Sequence, residues 1–289
     1  MRTKIKNIII QKPLLTLLLS AFIIRFLLSY FMPISIDASQ IYQSFEPAHF
    51  LAFGRGFLSF EWIDGYRSWA YPGFLAGIMK LCSYINPNPK LYIYATNIIM
   101  ILFSLLPIYI TYKLTYKSHK FLPNKKELSL LAALLPAFWY ALILYAPFTL
   151  SGTLPAYLFA LNCYLIIKYL DVNNNDIAKE NSYSLILIGL IFGLITILRF
   201  HLLPEIAFAL IYCSRKNFIY RAKFLSIGFL LTFIPLGFLD WLTWGYPFHS
   251  IIYNFYMNIF KGVAKTFGTQ PFYYYLGKNI RHWNILFIP

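Results

Sequence analysis

The fold class that the sequence predicts is an all-α polytopic membrane protein, on three observations. Of its 289 residues, 59% are hydrophobic and only 12% are charged, and the mean hydropathy is +0.60. Apolar runs of roughly 20 residues recur along the chain, the length at which a helix crosses a bilayer. The basic residues behind the formal charge of +15 fall between those runs, as cytoplasmic loops do under the positive-inside rule. That placement argues against nucleic acid as a partner and makes membrane lipids the expected surroundings.

Arg2, Lys4, Lys6 and Lys12 precede the first apolar run, 14–33, so the chain is expected to enter it from the cytoplasm. A signal peptide begins similarly. Here no small-residue cleavage site follows and Arg25 interrupts the run, which favours a retained anchor. An arginine at membrane depth should face the bundle rather than lipid.

A first extracytoplasmic loop, 34–90, comes next, and its last third poses the main topological choice. If residues 69–86 crossed the membrane, Lys117, Lys120, Lys125, Lys126, Arg215, Lys216, Arg221 and Lys223 would all lie outside. The segment is short with Lys80 midway, which suits a helix on the outer surface and leaves all eight inside. Further spans are then expected at 91–113, 128–147, 152–170, 183–199, 200–213 and 224–243, about seven with the first. Cytoplasmic loops fall at 114–127, 171–182 and 214–223.

The two short runs 183–199 and 200–213 meet at Arg199, Phe200 and His201, with Pro204 close behind. They read as a broken or re-entrant hairpin with its tip outside, since such residues at a break need protein or water around them. Asp240 ends the last span and is expected to pair with a basic neighbour. Beyond it a C-terminal extracytoplasmic segment, 244–289, is rich in tyrosine and tryptophan, as membrane interfaces are. The whole, 1–289, reads as one domain.

Cys82, Cys163 and Cys213 lie in apolar stretches without paired spacing, so neither a disulfide framework nor a zinc site is expected. His119, His249 and His282 show no ligand spacing either. No metal and no cofactor is called for.

The stretch from Asp37 to Pro72 departs from this apolar background. It holds four of the ten acidic residues (Asp37, Glu46, Glu61 and Asp64), with Arg55, Arg67 and His49 among them. Scarce carboxylates gathered in one loop of a membrane protein point to a site. Structural roles stand beside that reading. Glu46 and Glu61 suit helix caps or pairs with Arg55 and Arg67; Asp64-Gly65 suits a turn; His49, one helical turn from Glu46, suits a local hydrogen bond to it.

The stretch also resembles the first large extracytoplasmic loop of the glycosyltransferase family 22 enzymes, the Alg9-like and GPI mannosyltransferases. The residues are Tyr42-Gln43, Glu46-Pro47-Ala48-His49, Phe53-Gly54, Gly56-Phe57, Glu61-Trp62 and Arg67-Ser68-Trp69 with Pro72. A second match comprises Trp244-Gly245, Asn254-Phe255, Phe267-Gly268-Thr269-Gln270-Pro271 and Tyr275. The resemblance implies a GT-C type fold. It also implies inverting transfer of a sugar, mannose by analogy, from a polyprenyl-phosphate donor to a lipid-linked or glycan acceptor. The membrane would be of the bacterial inner or endoplasmic reticulum type, with the active face extracytoplasmic.

Such a transfer needs a carboxylate to take the acceptor proton, cations for the departing phosphate and aromatic faces for sugar rings. Asp37, assisted by Glu46, is the expected catalytic pair. His49, Glu61, Arg67 and Trp69 are the expected substrate contacts, and Arg199 and His201 the lipid-phosphate ligands. In the family's pattern, His-Pro-Asp-Glu-x-Phe/Tyr-Gln, alignment on Tyr42-Gln43 puts Asp37 at the histidine, Ser39 at the aspartate and Gln40 at the glutamate. Asp37 would then act from two residues upstream. Gly152 stands where relatives often carry an acid, and the chain ends at Pro289 where family members continue, so a shortened member is expected. Two alternatives stand: a non-catalytic relative binding lipid-linked sugar or a membrane partner, and a small transporter.

Overall fold

In the structure, a computed structural model, residues 12–31, 38–119, 121–170, 181–215 and 217–283 are described. Among them there is no strand. The main helices are α1 (Pro13–Phe31), α2 (Glu46–Phe53), α3 (Ala70–Ile85), α4 (Pro89–Ser104), α5 (Leu106–Ser118), α6 (Lys125–Phe138), α7 (Tyr140–Leu144), α8 (Thr153–Tyr169), α9 (Ser182–Leu198), α10 (Leu203–Ser214), α11 (Phe218–Trp244), α12 (His249–Phe255) and α13 (Phe272–Trp283). The N-terminal basic residues Arg2, Lys4 and Lys6, with Asp37, Lys120 and Lys216, lie outside the described residues, as does most of the loop 171–182.

Among the described residues three helical stretches are long and apolar enough to cross a membrane: Pro13–Phe31, Pro89–Ser118 (α4 and α5 together) and Phe218–Trp244. At 1.5 Å per residue the last measures about 40 Å, ample for a hydrocarbon core. Two shorter apolar helices, Ser182–Leu198 and Phe200–Ser214, accompany them. The expected span 128–147 is instead broken at Trp139, whose extended backbone separates α6 from α7. α11 begins at Phe218 rather than near 224, so the expected loop 214–223 is short, and Arg221 is buried, its Nη1 donating to the Cys213 carbonyl (3.0 Å).

Helix starts follow local chemistry. Asn88 Oδ1 accepts from the Lys90 N–H (3.0 Å) with Pro89 at the first position of α4, and Asn181 Oδ1 accepts from the Tyr183 N–H (3.0 Å) to open α9. Packing is tightest between α9 and α11, where glycines let the backbones touch. A Cβ on Gly189 would meet the Leu225 carbonyl, and one on Gly228 the Ile186 carbonyl. Thr232 Oγ1 adds a cross-helix bond to the Leu190 carbonyl (3.1 Å). Small residues bringing membrane helices together are the usual substitute for a hydrophobic driving force.

The main core joins Leu75 and Met79 of α3, Met100 of α4, and Leu185, Ile188, Phe192 and Ile195 of α9. A second cluster unites Leu17 and Ala21 with Ile108, Ala133 and Ala137. Large apolar side chains are meanwhile exposed along α1 (Leu19, Ile23, Leu27) and α11 (Leu231, Ile234, Leu242). Arg25 faces the bundle, fully buried, donating to the carbonyls of Ser104 (3.3 Å) and Pro136 (2.8 Å). Both carbonyls lie in the last turn of a helix, the end that favours a cation.

Candidate functional site

The loop of scarce carboxylates and the C-terminal segment, distant in sequence, fold against each other. Asn254 Nδ2 donates to the Tyr66 carbonyl (3.0 Å), and Tyr66 meets Tyr253 edge to face (5.1 Å between centroids). Trp69 lies between Trp62 (4.6 Å) and Trp244 (6.2 Å), so its ring ties the two segments rather than lining the cleft between them. Gly65 turns with φ +78°, beneath the His249 ring, where any side chain would collide; the Asp64-Gly65 turn is structural. Asp240 is 2% exposed and accepts from the Ser250 N–H (3.0 Å) and hydroxyl (2.5 Å). Its partner is thus Ser250 in place of the expected basic neighbour, and this clasp anchors α12 where Ser250 and Asn254 reach the cleft.

That cleft, about 70 Å³, is lined by Gln43, Trp62, Tyr66, Arg67, Ser151, Arg199, His201, Ser250 and Asn254, among others. α9 ends at Leu198, Arg199 leaves helical geometry, and Phe200–Leu202 form one 3-10 turn before Pro204 enters α10. The break expected from the sequence is therefore real, and it projects Arg199 and His201 into the cleft. Arg67 grips Glu61 with two bonds (Nε to Oε2 3.0 Å, Nη2 to Oε1 2.9 Å), and Gln43 Nε2 reaches the same carboxylate (3.4 Å). Among the described residues this is the one ion pair.

Arg199 has no carboxylate partner there. Among the described residues its Nη1 bonds the Ser151 hydroxyl alone, at 3.5 Å. Burial, the Tyr253 phenol and the carboxylates of Asp64 and Glu61 push the Tyr66 hydroxyl above its ordinary value, so it stays protonated as a donor. The cleft thus gathers two guanidiniums, an imidazole and neutral donors against one carboxylate, the polarity that an anion requires.

Glu46 and His49 do not share it. They line a second cavity, about 470 Å³, with Gln40, Tyr92 and Asn97. Glu46 Oε2 accepts from the Phe57 N–H (2.7 Å), and His49 Nδ1 bonds the Arg55 carbonyl (2.6 Å), so the local partner of His49 is Arg55 rather than Glu46. A third cavity, about 560 Å³, is lined by Ala38, Ser39, Gln43 and Glu61 among others. Gln43 borders both it and the Arg199 cleft. Sequence reasoning did not single out Ser151, Gln43 or Asn254 as site residues, although the last two lie within the resembling motifs. No group of three or more His, Cys, Asp or Glu side chains gathers among the described residues.

The sequence profile of the Alg9-like mannosyltransferase family matches residues 16–289. Similar proteins are each called GPI mannosyltransferase 3. One from Yarrowia lipolytica is 27% identical over 239 residues, 82% of this chain and 44% of the relative. One from Drosophila melanogaster is 29% identical over 126 residues, 43% and 19% of the two chains. One from Debaryomyces hansenii is 34% identical over 122 residues, 41% and 22%. The chain matches less than half the length of these curated relatives. No solved structure matches it.

Proposed function

The chain belongs to the Alg9-like mannosyltransferase family, and from that premise we propose that it is an integral membrane mannosyltransferase acting on the extracytoplasmic face, with a polyprenyl-phosphate sugar as donor. The reading includes a GT-C type bundle of about seven crossings, in which the shorter apolar helices and the broken α6–α7 pair also span the bilayer. The donor phosphate sits at Arg199 and His201, with Arg67 as a second cation. Asp37 takes the proton of the acceptor hydroxyl, whose oxygen bonds to the anomeric carbon from the opposite side. The bond from that carbon to the phosphate oxygen breaks, and polyprenyl phosphate leaves with the electron pair, inverting the centre. Glu46, through its separate cavity, acts on the acceptor rather than on the phosphate.

The observation that carries the proposal is Arg199. It is a cation at a helix break, half-buried, without a carboxylate partner among the described residues, beside Arg67 and His201 in a cleft walled by both family-like segments. Charge-assisted contacts to phosphate are worth about 1.5–3 kcal/mol, roughly tenfold to a hundredfold in affinity. Arg199→Ala is therefore expected to weaken polyprenyl-phosphate binding by that factor, while Lys265→Ala, in the exposed turn after α12, leaves it unchanged. Equal effects from the two substitutions would remove Arg199 from the site. Ser39, bordering the third cavity in the position where the family pattern has its acid, favours one rival reading, a binding protein without turnover.

A further inference from the structure

The Arg199 cleft is walled by strong donors, the guanidiniums of Arg67 and Arg199 and the Tyr66 hydroxyl. Ser250 lines the same cleft and is turned the opposite way. Its hydroxyl donates to Asp240 Oδ2 (2.5 Å), and its N–H donates to the same oxygen (3.0 Å). A serine hydroxyl has one hydrogen and two lone pairs. With the hydrogen held by a carboxylate, what Ser250 offers a ligand is an acceptor. Asp240 itself does not line the cleft; it lines a separate chamber of about 10 Å³ that shares Ser68 and Ser250 with the cleft as walls. No lysine or arginine pairs with its carboxylate among the described residues, and a charged acceptor holds a hydroxyl hydrogen more firmly than a neutral one. Asn254, one turn further along α12, is spent on the protein instead: its Nδ2 donates to the Tyr66 carbonyl (3.0 Å) and its Oδ1 accepts from Asn258 Nδ2 (2.7 Å).

We infer that Ser250 reads the sugar of the donor lipid: it accepts a hydrogen bond from the sugar hydroxyl nearest the phosphate, and Asp240 is the positioning residue that keeps it an acceptor. An ionised phosphate only accepts, so it gains nothing from Ser250 and is held by the cations. A sugar joined to that phosphate carries a hydroxyl on the carbon next to the anomeric one, a few bonds away, and that hydroxyl can donate. The cations therefore serve the lipid phosphate with or without its sugar, whereas Ser250 serves only the sugar-bearing form. The inference rests on the donor reading of the cleft, and it deepens that reading by naming the residue that recognises the group to be transferred.

The test uses the full chain in lipid nanodiscs with two probes in parallel, polyprenyl-phosphate mannose and polyprenyl phosphate. Ser250→Ala keeps the N–H bond to Asp240 and removes only the hydroxyl. It should bind the sugar-bearing lipid about fivefold more weakly, the loss of one hydrogen bond, while its affinity for polyprenyl phosphate stays within twofold of the native value. Asp240→Leu, which frees the Ser250 hydroxyl to turn, should show the same split between the two lipids. A merely structural role would weaken both lipids together. Equal weakening of the two in Ser250→Ala, or native affinity for both, overturns the inference, and in that event loss of both lipids in Arg199→Ala leaves the donor reading standing alone. If neither lipid binds the native chain, the donor reading falls and the inference falls with it. Should Asp240→Leu fail to fold, the Ser250→Ala comparison still decides.

Discussion

Arg25 and Arg199 show how one residue type serves two ends according to what surrounds it. Arg25 is fully enclosed and spends its donors on two helix-terminal carbonyls; Arg199 has one long contact to Ser151 and opens onto a cleft. The neighbour that keeps Arg199 available is Gly152. A Cβ there would lie 3.7 Å from Arg199 Nη2, so a longer acidic side chain would reach the guanidinium. Gly152 is also the N-cap of α8, with φ −97°, a position where aspartate is favoured. Gly152→Asp should therefore fold at least as well as the native chain yet bind polyprenyl phosphate about tenfold more weakly, because an internal carboxylate competes for the cation. Thermal unfolding and lipid binding measured on the same sample check both halves.

The residues of this site were legible in the sequence to unequal degrees. Arg199 and His201 stood out because charge and Pro204 interrupt an apolar run, and bilayer physics makes that interruption meaningful. Glu61 and Arg67 stood out through composition, although the sequence left open that they hold each other. Ser151 carries no local signal; it reaches Arg199 only because the turn between α7 and α8 packs beside the break. Glu46 and Arg67 appeared as one site because they share a loop, and helix α2 turns Glu46 toward α4 instead.

At the scale of elements, the α9–α11 pair sets the position of the Arg199 break, since α9 delivers it and α11 fixes α9. Their contact depends on Gly189 and Gly228, where each glycine lies against the opposing backbone. Gly228→Leu should force the helices apart and destabilise the fold by about 1–3 kcal/mol, the range for overpacked cores. Gly277→Leu, on exposed α13 with open space around the glycine, should have little effect. Thermal unfolding in detergent distinguishes the two. The helix break was readable from sequence and the glycine contact was not, because residue spacing alone does not say which faces of two helices meet. The interruption of α6 at Trp139 was hidden for a similar reason: the apolar run continues through it, and the Pro136 carbonyl there is satisfied by Arg25 from another helix.

At the scale of the molecule, two segments nearly two hundred residues apart close over one cleft. Asn254 bonding to Tyr66, Ser250 clasped by Asp240 and the ladder of Trp62, Trp69 and Trp244 hold them together. The cleft is cationic, and Glu46 lines a separate cavity that has no lysine or arginine among its described lining residues. The overall class was evident from apolar runs and charge placement; the same topology set both segments on the outer side, while the particular contacts between them, Asn254 with Tyr66 first, carry no sequence signal.

If Asp37 is the base of the proposed sugar transfer, membranes holding the chain should release polyprenyl phosphate from polyprenyl-phosphate mannose. The native chain should release it, and Asp37→Asn should lower that turnover by at least about a hundredfold while binding of the lipid phosphate is unchanged, since only the proton acceptor is lost. Ser39→Asp with Gln40→Glu should match or exceed the native rate. Release by neither the native chain nor that double variant, or equal rates from the native chain and Asp37→Asn, would rule out Asp37 as the base of such a transfer.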